Sequence, residues 1–339
     1  MSVALIVINF KNRNLLYEYL RSVARQTYKL SEVIVLQYGL PDEKTLAFRK
    51  KIPMLKILTK LHDNGVDEGY NYAASFAKSK YLIFQSDDIL LDKNCVKSLV
   101  ELIESNKKIG IASSTYVKRL DFQKHKKLIV ENAGADVDIF GFNWPKYNNQ
   151  LLKHIPEIED VFAVYGSSMM IKHSLFNEVG CFDAKYFALN DDIDLSWRVR
   201  LLGYQVFCTR KSFVYHRAHA TLNHSQSRSR KRYWSERNGL RTLLKNYSLR
   251  SLAIYLPGYL CLLIMEWFYY ILTMRWNLAF SLVKSIYWNV LNITDTLKKR
   301  KEVQKIRKIP DLLIIKIMHQ KSFKFKFSAW AYAKERFSK

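Results

Sequence analysis

YLIFQSDD, residues 81–88, is the stretch around which the predicted fold is organised. Mostly apolar residues lead into Gln85 and Ser86 and end at two adjacent carboxylates, which predicts a buried strand with an acidic carboxyl end. In an open α/β sheet, ligands bind at that end of the strands. A divalent cation that holds a phosphorylated ligand would offset the desolvation of these carboxylates. A solvated turn before a helix capped by Asp92 is the alternative, and these residues alone leave both open.

The residues before this stretch predict an alternation of strands and helices. Residues 3–8 and 32–36 are apolar runs of strand length, and the amphipathic residues 14–26 between them predict a helix. A third strand is indicated at 56–58, and a helix at about 70–77 leads into the acidic strand. This alternation predicts an α/β fold with a mostly parallel, Rossmann-like sheet flanked by helices.

Polar residues follow the predicted strands and would meet at one edge of this sheet. They are Asn9, the stretch 37–42 with Gln37, Gly39 and Asp42, the stretch 63–71 with Asn71, and Ser86, Asp87 and Asp88. Because the loops after parallel strands converge on the carboxyl edge, these residues predict a nucleotide pocket that ends in a metal site. Neither G-x-G-x-x-G after a predicted strand nor G-x-x-x-x-G-K-[ST] is present, which disfavours dinucleotide and P-loop sites.

A second acidic cluster lies at residues 190–194, NDDID, where three carboxylates occupy four positions. If Asp192 opens a helix, its carboxylate lies near the positive end of the helix dipole. Crowded carboxylates raise the pKa of at least one of them, which is how a general base or a metal site is usually made. The structural alternative is a capping cluster whose charge is answered by Arg198 and Arg200.

His216 ends the predicted strand at residues 213–216. On its own it is either a hydrogen-bonded surface residue or a ligand for a metal ion or a diphosphate. A neutral imidazole beside an aspartate suits Mn²⁺ as readily as Mg²⁺.

The positive charge of the chain is concentrated in its last third. The formal net charge is +25; residues 1–216 hold 30 Lys and Arg against 24 Asp and Glu, whereas residues 217–339 hold 25 against 6. The basic residues surround two apolar stretches, 251–274 with Glu266 as its only charge and 278–293 with Lys284. Such stretches favour attachment to an anionic membrane surface, by spanning it or lying in it.

Two other interpretations of this region stay open. Both stretches could pack as core on the rest of the chain or on a neighbouring subunit. A nucleic-acid binder is disfavoured because the basic residues gather around apolar helices rather than on the folded domain. The tail at 323–327, FKFKF, alternates like an amphipathic strand and could also lie at a membrane surface.

Cysteine usage and the N-terminus bear on the compartment. Four cysteines lie far apart without a C-x-x-C motif, so neither a zinc site nor a disulfide framework is expected, and a reducing compartment fits best. The chain begins directly with a strand, without a basic segment or small-residue cleavage site, so no signal peptide is expected.

Taken together in their order and spacing, short motifs across residues 2–240 resemble the family 2 glycosyltransferases of the GT-A fold, in particular the rhamnosyltransferase-like bacterial and archaeal members. The motifs are VINF at 7–10, SVARQTY at 22–28, EVIV at 32–35, Gly39, Asp42, Gly65, Asn71, YLIF at 81–84 with Asp88, Gly166, VGCFD at 179–183, DDIDL at 191–195, Arg198, GY at 203–204, VYH at 214–216, and YW at 233–234 with Arg237 and Asn238.

The resemblance implies a domain organisation and an activity. Residues 1–240 would form the catalytic domain, with a nucleotide-binding half at about 1–110 and an acceptor and catalytic half at about 111–240. Residues 241–339 would form a basic, membrane-associated region with apolar helices. The enzyme would be an inverting hexosyl or deoxyhexosyl transferase that acts on a nucleotide-diphosphate sugar donor and a hydroxyl of a glycan or lipid-linked glycan. Its expected location is the cytoplasmic face of the cell membrane, and oligomerisation is left open.

The resemblance also implies roles for individual residues. Asp192 matches the general base, with Asp191 as its acidic neighbour. Asp88 and His216 would hold Mn²⁺ or Mg²⁺ on the diphosphate. The donor would bind at Asn9, Gln37, Gly39, Asp42, Asn71, Ser86 and Asp87.

Two departures from the family pattern affect this interpretation. Gln37 stands where relatives usually carry an aspartate that binds the nucleotide base, and Ser86 stands where the metal motif usually has Asp or Asn. The nucleotide therefore stays open, and so does an alternative function, a catalytically inactive sugar-nucleotide-binding protein of the same fold. A basic nucleic-acid-binding protein is the less favoured alternative.

Overall fold

The computed structural model describes residues 1–10, 12–217 and 227–324. The strands are β1 (Val3–Asn9), β2 (Glu32–Tyr38), β3 (Leu55–Lys60), β4 (Tyr81–Ser86), β5 (Ile89–Leu91), β6 (Ile109–Lys118), β7 (Val130–Asn132), β8 (Ala135–Val137), β9 (Asn143–Pro145), β10 (Ile158–Asp160), β11 (Ser168–Lys172) and β12 (Gln205–His216). The helices are α1 (Arg13–Val23), α2 (Glu43–Ala47), α3 (Val66–Ala74), α4 (Cys95–Ser105), α5 (Arg119–His125), α6 (His173–Glu178), α7 (Asp191–Leu201), α8 (Ser227–Asn246), α9 (Leu249–Leu272), α10 (Trp276–Leu291), α11 (Ile293–Ile306) and α12 (Asp311–Lys316).

One mixed sheet organises the first two thirds of the described residues. Its order is β10-β12-β6-β11-β4-β1-β2-β3, with β5 paired to β12 and β7 paired to β6. Strands β3, β2, β1 and β4 are parallel, whereas β11 runs antiparallel to both β4 and β6. The predicted α/β class is confirmed, and the antiparallel strand lies where the two halves of the sheet meet.

The apolar composition of the parallel strands follows from their burial on both faces. Every residue of β1 is buried, because α3 covers one side of the sheet and α1 and α4 cover the other. In the register of these strands, Asn9 lies beside Gln37 and Ile8 lies beside Ser86. The polar residues that end β1, β2 and β4 therefore share one edge, as the sequence predicts.

Helix α3 begins earlier than predicted, at Val66 rather than near residue 70. The N-cap is Gly65, whose φ of 100° lies in a region that favours glycine, and the Asp63 carboxylate accepts a hydrogen bond from its N–H. The Val66 N–H donates to the Phe187 carbonyl at 2.8 Å. A distant loop thus completes the first turn, and that contact has no signal in the local sequence.

The C-terminal helices share a core with the rest of the molecule. Helix α8 runs across residue 240, the predicted domain boundary. A single apolar cluster joins Trp197 of α7, Leu243 of α8, Tyr259 of α9 and Leu282 of α10. The C-terminal region is therefore built onto the helix that carries the second acidic cluster.

Among the described residues, α9 is the one helix long and apolar enough to cross a membrane, and about a third of its most apolar segment is buried in the protein. Glu266, the charge within α9, is buried and pairs with Arg232 and with Lys324. Its charge thus faces the protein and not the outer surface of the helix. Of the alternating tail, Phe323 and Lys324 are helical, and residues 325–327 lie outside the described residues.

Candidate active site

The loops after β1, β2 and β4 are tied together by polar contacts. The Asn9 amide donates to the Asp87 carboxylate, and Arg13 donates to the Asn9 side-chain oxygen. The same guanidinium donates to the backbone carbonyls of Tyr38 at 3.2 Å and Leu40 at 3.3 Å. Arg13 therefore places a positive charge at the predicted nucleotide edge. The sequence did not single it out, because an arginine in the first turn of an amphipathic helix usually lies in solvent.

The other predicted donor residues have varied surroundings. Gly39 forms the turn after β2 with a φ of 91°. Asp42 caps α2 by accepting from the Thr45 N–H at 2.7 Å. Asn71 exchanges two hydrogen bonds with the backbone of Phe182, at 2.9 and 3.0 Å. Asp42 and Asn71 thus have structural roles, and their contact with a nucleotide stays a prediction.

Gln37 is fully buried, and its terminal nitrogen and oxygen have no hydrogen-bond partner among the described residues. An unpaired buried amide is unfavourable, so a partner group that reached it would stabilise this side chain. As placed, the amide is covered by protein, and direct contact with a nucleotide base would require the neighbouring side chains to move.

Asp88 and His216 are brought together by strand pairing. His216 lies beside Ile89 in the β5–β12 ladder, which sets its Nε2 3.6 Å from Asp88 Oδ2. Its Nδ1 lies 2.8 Å from Glu131 Oε2, and the Ser86 hydroxyl donates to Asp88.

Asp92 is the residue that the alternative interpretation of this stretch predicted as a helix cap. Its carboxylate accepts from the Asn94 N–H in a turn before α4.

The charges of this pair favour each other. Burial opposes ionisation of Asp88, but His216 and the Ser86 hydroxyl outweigh it and lower the pKa of the carboxyl group. Burial also opposes charging of the imidazole, but the carboxylates of Asp88 and Glu131 outweigh it and raise the pKa of His216 to about 10. Asp87 behaves differently, because burial raises its pKa to about 7 although the Asn9 hydrogen bond acts in the opposite direction.

The donor set at Asp88 and His216 fits a divalent ion. Two atoms 3.6 Å apart can both reach one ion at bond lengths of about 2.1 Å. Glu131 holds the far nitrogen of the ring, as a carboxylate commonly does behind a metal-binding histidine. Within the described ranges, no group of three His, Cys, Asp or Glu side chains is placed around one point. Magnesium-type ions are commonly held by one or two protein groups together with substrate phosphates and water.

Asp192 lies in the first turn of α7, where its carboxylate is held by backbone. The Gly166 N–H donates to Oδ2 at 2.8 Å, and the Ile193 N–H donates to Oδ1 at 2.8 Å. Loss of water and the negative charge of Asp191 raise the pKa of Asp192. A carboxylate oxygen keeps further lone pairs after accepting one hydrogen bond, so Asp192 can still accept a proton.

Of the two arginines predicted to pair with this cluster, one pairs with a member of it and the other does not. Arg198 binds Asp194, which lies in the same helix, and Arg200 binds Asp160 of β10. The capping-cluster alternative therefore accounts for Asp194 and not for Asp191 or Asp192.

A buried carboxyl pair lies behind Asp192. Asp67, in the first turn of α3, is fully buried close to Asp191, and neither of its carboxylate oxygens has a hydrogen-bond partner among the described residues. Burial, and then the charge of Asp191, raise the pKa of Asp67 far above its ordinary value, so Asp67 is the protonated partner of the pair. The sequence predicted that residues 63–71 reach this edge, but it singled out Asn71 there and assigned Asp67 no role.

Tyr116 connects the two acidic regions. Its ring lies edge-on to His216 with 5.9 Å between centroids, and its hydroxyl donates to the Tyr165 carbonyl at 2.8 Å. The next residue after Tyr165 is Gly166, which holds Asp192. The structure therefore brings Asp88, Asp192 and His216 into one neighbourhood, although His216 follows Asp88 by 128 positions in the sequence.

Comparison with known proteins gives a family and a fold. The family model "Glycosyl transferase family 2" matches residues 4–180. An N-acetylglucosaminyl-diphospho-decaprenol L-rhamnosyltransferase of Mycobacterium tuberculosis is 30% identical over 90 residues, which cover 24% of this chain and 29% of the relative. The chain thus matches less than a third of that relative's length.

Two solved structures share the fold at 14% identity. GalNAc-T7 with UDP, GalNAc and Mn²⁺ has a TM-score of 0.59 and covers 75% of this chain and 49% of that one. The mannosyltransferase PcManGT of Pyrobaculum calidifontis, in complex with GDP-Man and Mn²⁺, has a TM-score of 0.51 and covers 90% of this chain and 85% of that one. At this identity the likeness establishes the fold alone, and it confirms the predicted GT-A arrangement.

Proposed function

This chain belongs to glycosyl transferase family 2, and on that basis we propose that it transfers a hexosyl or deoxyhexosyl group with inversion from a nucleotide-diphosphate sugar to a hydroxyl of a glycan or lipid-linked glycan. One observation carries the proposal. Asp192, a carboxylate with a raised pKa, lies in the same neighbourhood as Asp88 and His216, a pair that fits a divalent ion. A glycosyl transfer needs these two functions, a base and neutralisation of the diphosphate, close together.

Asp192 is the proposed general base. The acceptor hydroxyl forms a bond to the anomeric carbon on the face opposite the diphosphate, and its proton passes to an oxygen of Asp192. The bond between the anomeric carbon and the diphosphate oxygen breaks with its electron pair, so nucleotide diphosphate leaves and the configuration inverts. The Gly166 and Ile193 N–H groups hold the carboxylate in one orientation throughout.

Asp88 and His216 are the proposed metal ligands. A bound Mn²⁺ or Mg²⁺ would neutralise charge on the departing diphosphate. Asp88 remains ionised near neutral pH because its pKa is lowered. His216 must lose the Nε2 proton to bind a metal, and Glu131 holds Nδ1 while it does so. Mn²⁺ in both similar solved structures supports a divalent ion here.

Nucleotide release tests the proposed activity. Purified full-length protein is incubated with a panel of UDP-, GDP- and dTDP-sugars, with Mn²⁺ and with or without an acceptor. We expect free nucleotide diphosphate from one donor class, and a rise in Tm with that donor, because a ligand that binds only the folded state stabilises it. Donor binding with no release would support the inactive sugar-nucleotide-binding protein instead.

A membrane surface is the second proposed partner. Exposed apolar residues follow helical spacing along one side of α9 and α10, and we call this side the apolar face. It comprises Ile254, Ile264, Met265, Phe268 and Leu272 of α9 and Trp276, Phe280, Tyr287, Val290 and Leu291 of α10. The opposite side of α9 is buried, including Glu266. An apolar surface formed by ten large exposed side chains rarely remains in contact with water.

Anionic lipid is the occupant that the flanking charge favours. Exposed lysines lie within α10, at Lys284, and in the helix that follows it, α11, at Lys298, Lys301 and Lys305. Basic residues beside an apolar helical face bind the negatively charged cytoplasmic leaflet, which supports location at that face of the membrane.

Vesicle sedimentation tests the membrane proposal. We expect the protein to sediment with vesicles that contain phosphatidylglycerol and to bind neutral phosphatidylcholine vesicles less. Phe268→Glu should reduce binding, because it places a charge in the apolar face. Leu61→Glu is the matched control, since Leu61 is 84% exposed and lies far along the chain, after β3. Equal binding by both variants would contradict the assignment of the face.

A further inference from the structure

The loop that leads into α7 has an unusual backbone. Phe187, Leu189 and Asn190 have φ values of 68°, 70° and 66°, in the left-handed region that L side chains rarely adopt. They immediately precede Asp191 and Asp192. A backbone of this kind persists only where the surrounding structure holds it, and it recurs at functional sites.

Asn238 of α8 is the side chain that holds this loop. It is fully buried, and its Nδ2 donates to the carbonyls of Tyr186 at 3.1 Å, Ala188 at 2.8 Å and Leu189 at 2.7 Å. Its Oδ1 accepts from Arg237 Nε at 2.9 Å, which fixes the orientation of the amide. A single amide thus binds three backbone carbonyls within residues 186–189, just before α7.

Other contacts complete the support of the loop without replacing Asn238. Arg237 donates to the carbonyls of Lys185 and Tyr186, and the Val66 N–H donates to the Phe187 carbonyl. None of these contacts reaches the carbonyls of Ala188 and Leu189. Those two carbonyls lie within three residues of Asp191, and Asn238 supplies the side-chain donor that they share.

We propose that Asn238 is a positioning residue that holds residues 186–190 in the backbone conformation that delivers Asp192 to the Gly166 N–H. Without its amide, the loop can relax from its left-handed conformation, and the first turn of α7 shifts with it. A displacement of about 1 Å in a reacting group can lower a rate about 100-fold. The proposal rests on the proposed function in one respect, that Asp192 is the base.

The first test compares two side-chain amides that bind backbone carbonyls. Asn238→Ala should lower kcat about 100-fold while KM for the donor changes by less than about threefold, since the donor and metal groups lie on other loops. Gln26→Ala is the control, because the Gln26 amide also donates to two backbone carbonyls, of Ser22 and Asp92, which lie outside the loop and its supporting contacts. Equal kcat values for both variants would overturn the proposal.

A double variant separates positioning from general destabilisation. If Asn238 acts through Asp192, adding Asn238→Ala to Asp192→Asn should cost less than about threefold in kcat, because the group being positioned is already disabled. A further 100-fold loss in the double variant would mean that Asn238 acts on something else, and the proposal would fail.

Hydrogen exchange gives a readout that needs no turnover. Amides of peptides that cover residues 185–195 should exchange faster in Asn238→Ala than in the wild-type protein, and should be unchanged in Gln26→Ala. Unchanged exchange in both variants would overturn the proposal. Asn238→Ser serves for both measurements where the alanine variant does not fold. If no donor is turned over by the wild-type protein, the proposed function fails, whereas exchange still decides the role of Asn238.

Discussion

Asp88 and Asp192 are partly buried carboxylates in one neighbourhood, yet their surroundings shift their pKa values in opposite directions. Asp88 faces the His216 ring and receives the Ser86 hydroxyl, and its pKa is lowered. Asp192 receives two backbone N–H groups, but its burial and then the charge of Asp191 raise its pKa. A cationic neighbour thus keeps one carboxylate ionised, whereas a like-charged neighbour prepares the other to take a proton.

The two carboxylates are also positioned by different means. Asp88 and His216 are set by hydrogen-bonded strands, β5 against β12, so their separation follows from sheet register. Asp192 follows a left-handed loop whose conformation depends on side chains from α8. Sheet register is rigid, whereas this loop, which Asn238 holds together with Arg237 and the Val66 N–H, can relax when the Asn238 amide is lost. We therefore expect the base to be the more easily displaced of the two groups.

Asp192→Asn should have the largest effect, since it removes the proposed base. The variant keeps the size of the side chain but cannot take a proton, so kcat should fall by roughly 10² to 10⁴. Donor and Mn²⁺ affinity should be retained, because Asp88 and His216 are untouched. Nucleotide release and isothermal titration measure the two quantities. Normal turnover by this variant would show that Asp192 is not the base.

Glu131→Gln should weaken metal binding at Asp88 and His216, because Glu131 contacts the His216 ring. The amide no longer holds the His216 ring as a carboxylate does, and loss of such a partner lowers metal affinity by roughly 10- to 100-fold. Titration of Mn²⁺ in the presence of nucleotide diphosphate, followed by electron paramagnetic resonance, measures this. Glu157→Gln is the control, because Glu157 pairs with Lys211 at the protein surface. Equal affinities in the two variants would exclude the role of Glu131.

The pH profile of kcat/KM should report the raised pKa of Asp192. The base must be ionised, so kcat/KM should fall about tenfold per pH unit below that pKa, at a higher pH than an ordinary aspartate with a pKa near about 4. Asp191→Asn should move this acidic limb of the profile, the range in which kcat/KM falls, to lower pH, because it removes a charge that raises the pKa of Asp192. A limb that stays in place would mean that Asp191 does not set it.

Asp67→Asn should have the smallest effect, on the pH dependence of stability. Above about pH 4 the unfolded Asp67 is ionised, whereas the folded one stays protonated until its raised pKa is passed. The folded state then binds more protons, so rising pH favours unfolding by up to about 1.4 kcal/mol per pH unit from this group. An amide at this position removes that slope. Between pH 5 and 8, Tm should therefore fall less in the variant than in the wild-type protein.

The structure confirmed the sequence-based fold where prediction depended on local pattern. The apolar runs of β1, β2 and β4 are strands because parallel strands are covered on both faces, and burial of that kind is visible in composition. The start of α3 was placed about four residues too late, since its first turn is completed by the Phe187 carbonyl, a partner more than 100 residues away. Asp67 was missed for the same reason.

Some candidate residues were recognised from the sequence, and others only from their contacts in the structure. Asp88, Asp192 and His216 were recognised from their order along the chain, and the structure places them together. Three other residues were noticed only from their contacts. Glu131 contacts His216, Asn238 contacts the loop before Asp192, and Arg13 contacts Asn9 and the loop after β2. A lone glutamate in a short strand or an arginine in the first turn of a helix has no local pattern that marks such a contact.

The fold and the protonation of the candidate site therefore have different origins. The sequence alone determined the alternation of strands and helices, the convergence of acidic residues on one edge, and the concentration of positive charge around the apolar helices, because these depend on hydrophobic period and composition. Only the tertiary structure decided which carboxylate is ionised and which is poised to take a proton. That outcome depends on the distances from Asp88 to His216 and from Asp192 to its neighbours, and no local pattern encodes those distances.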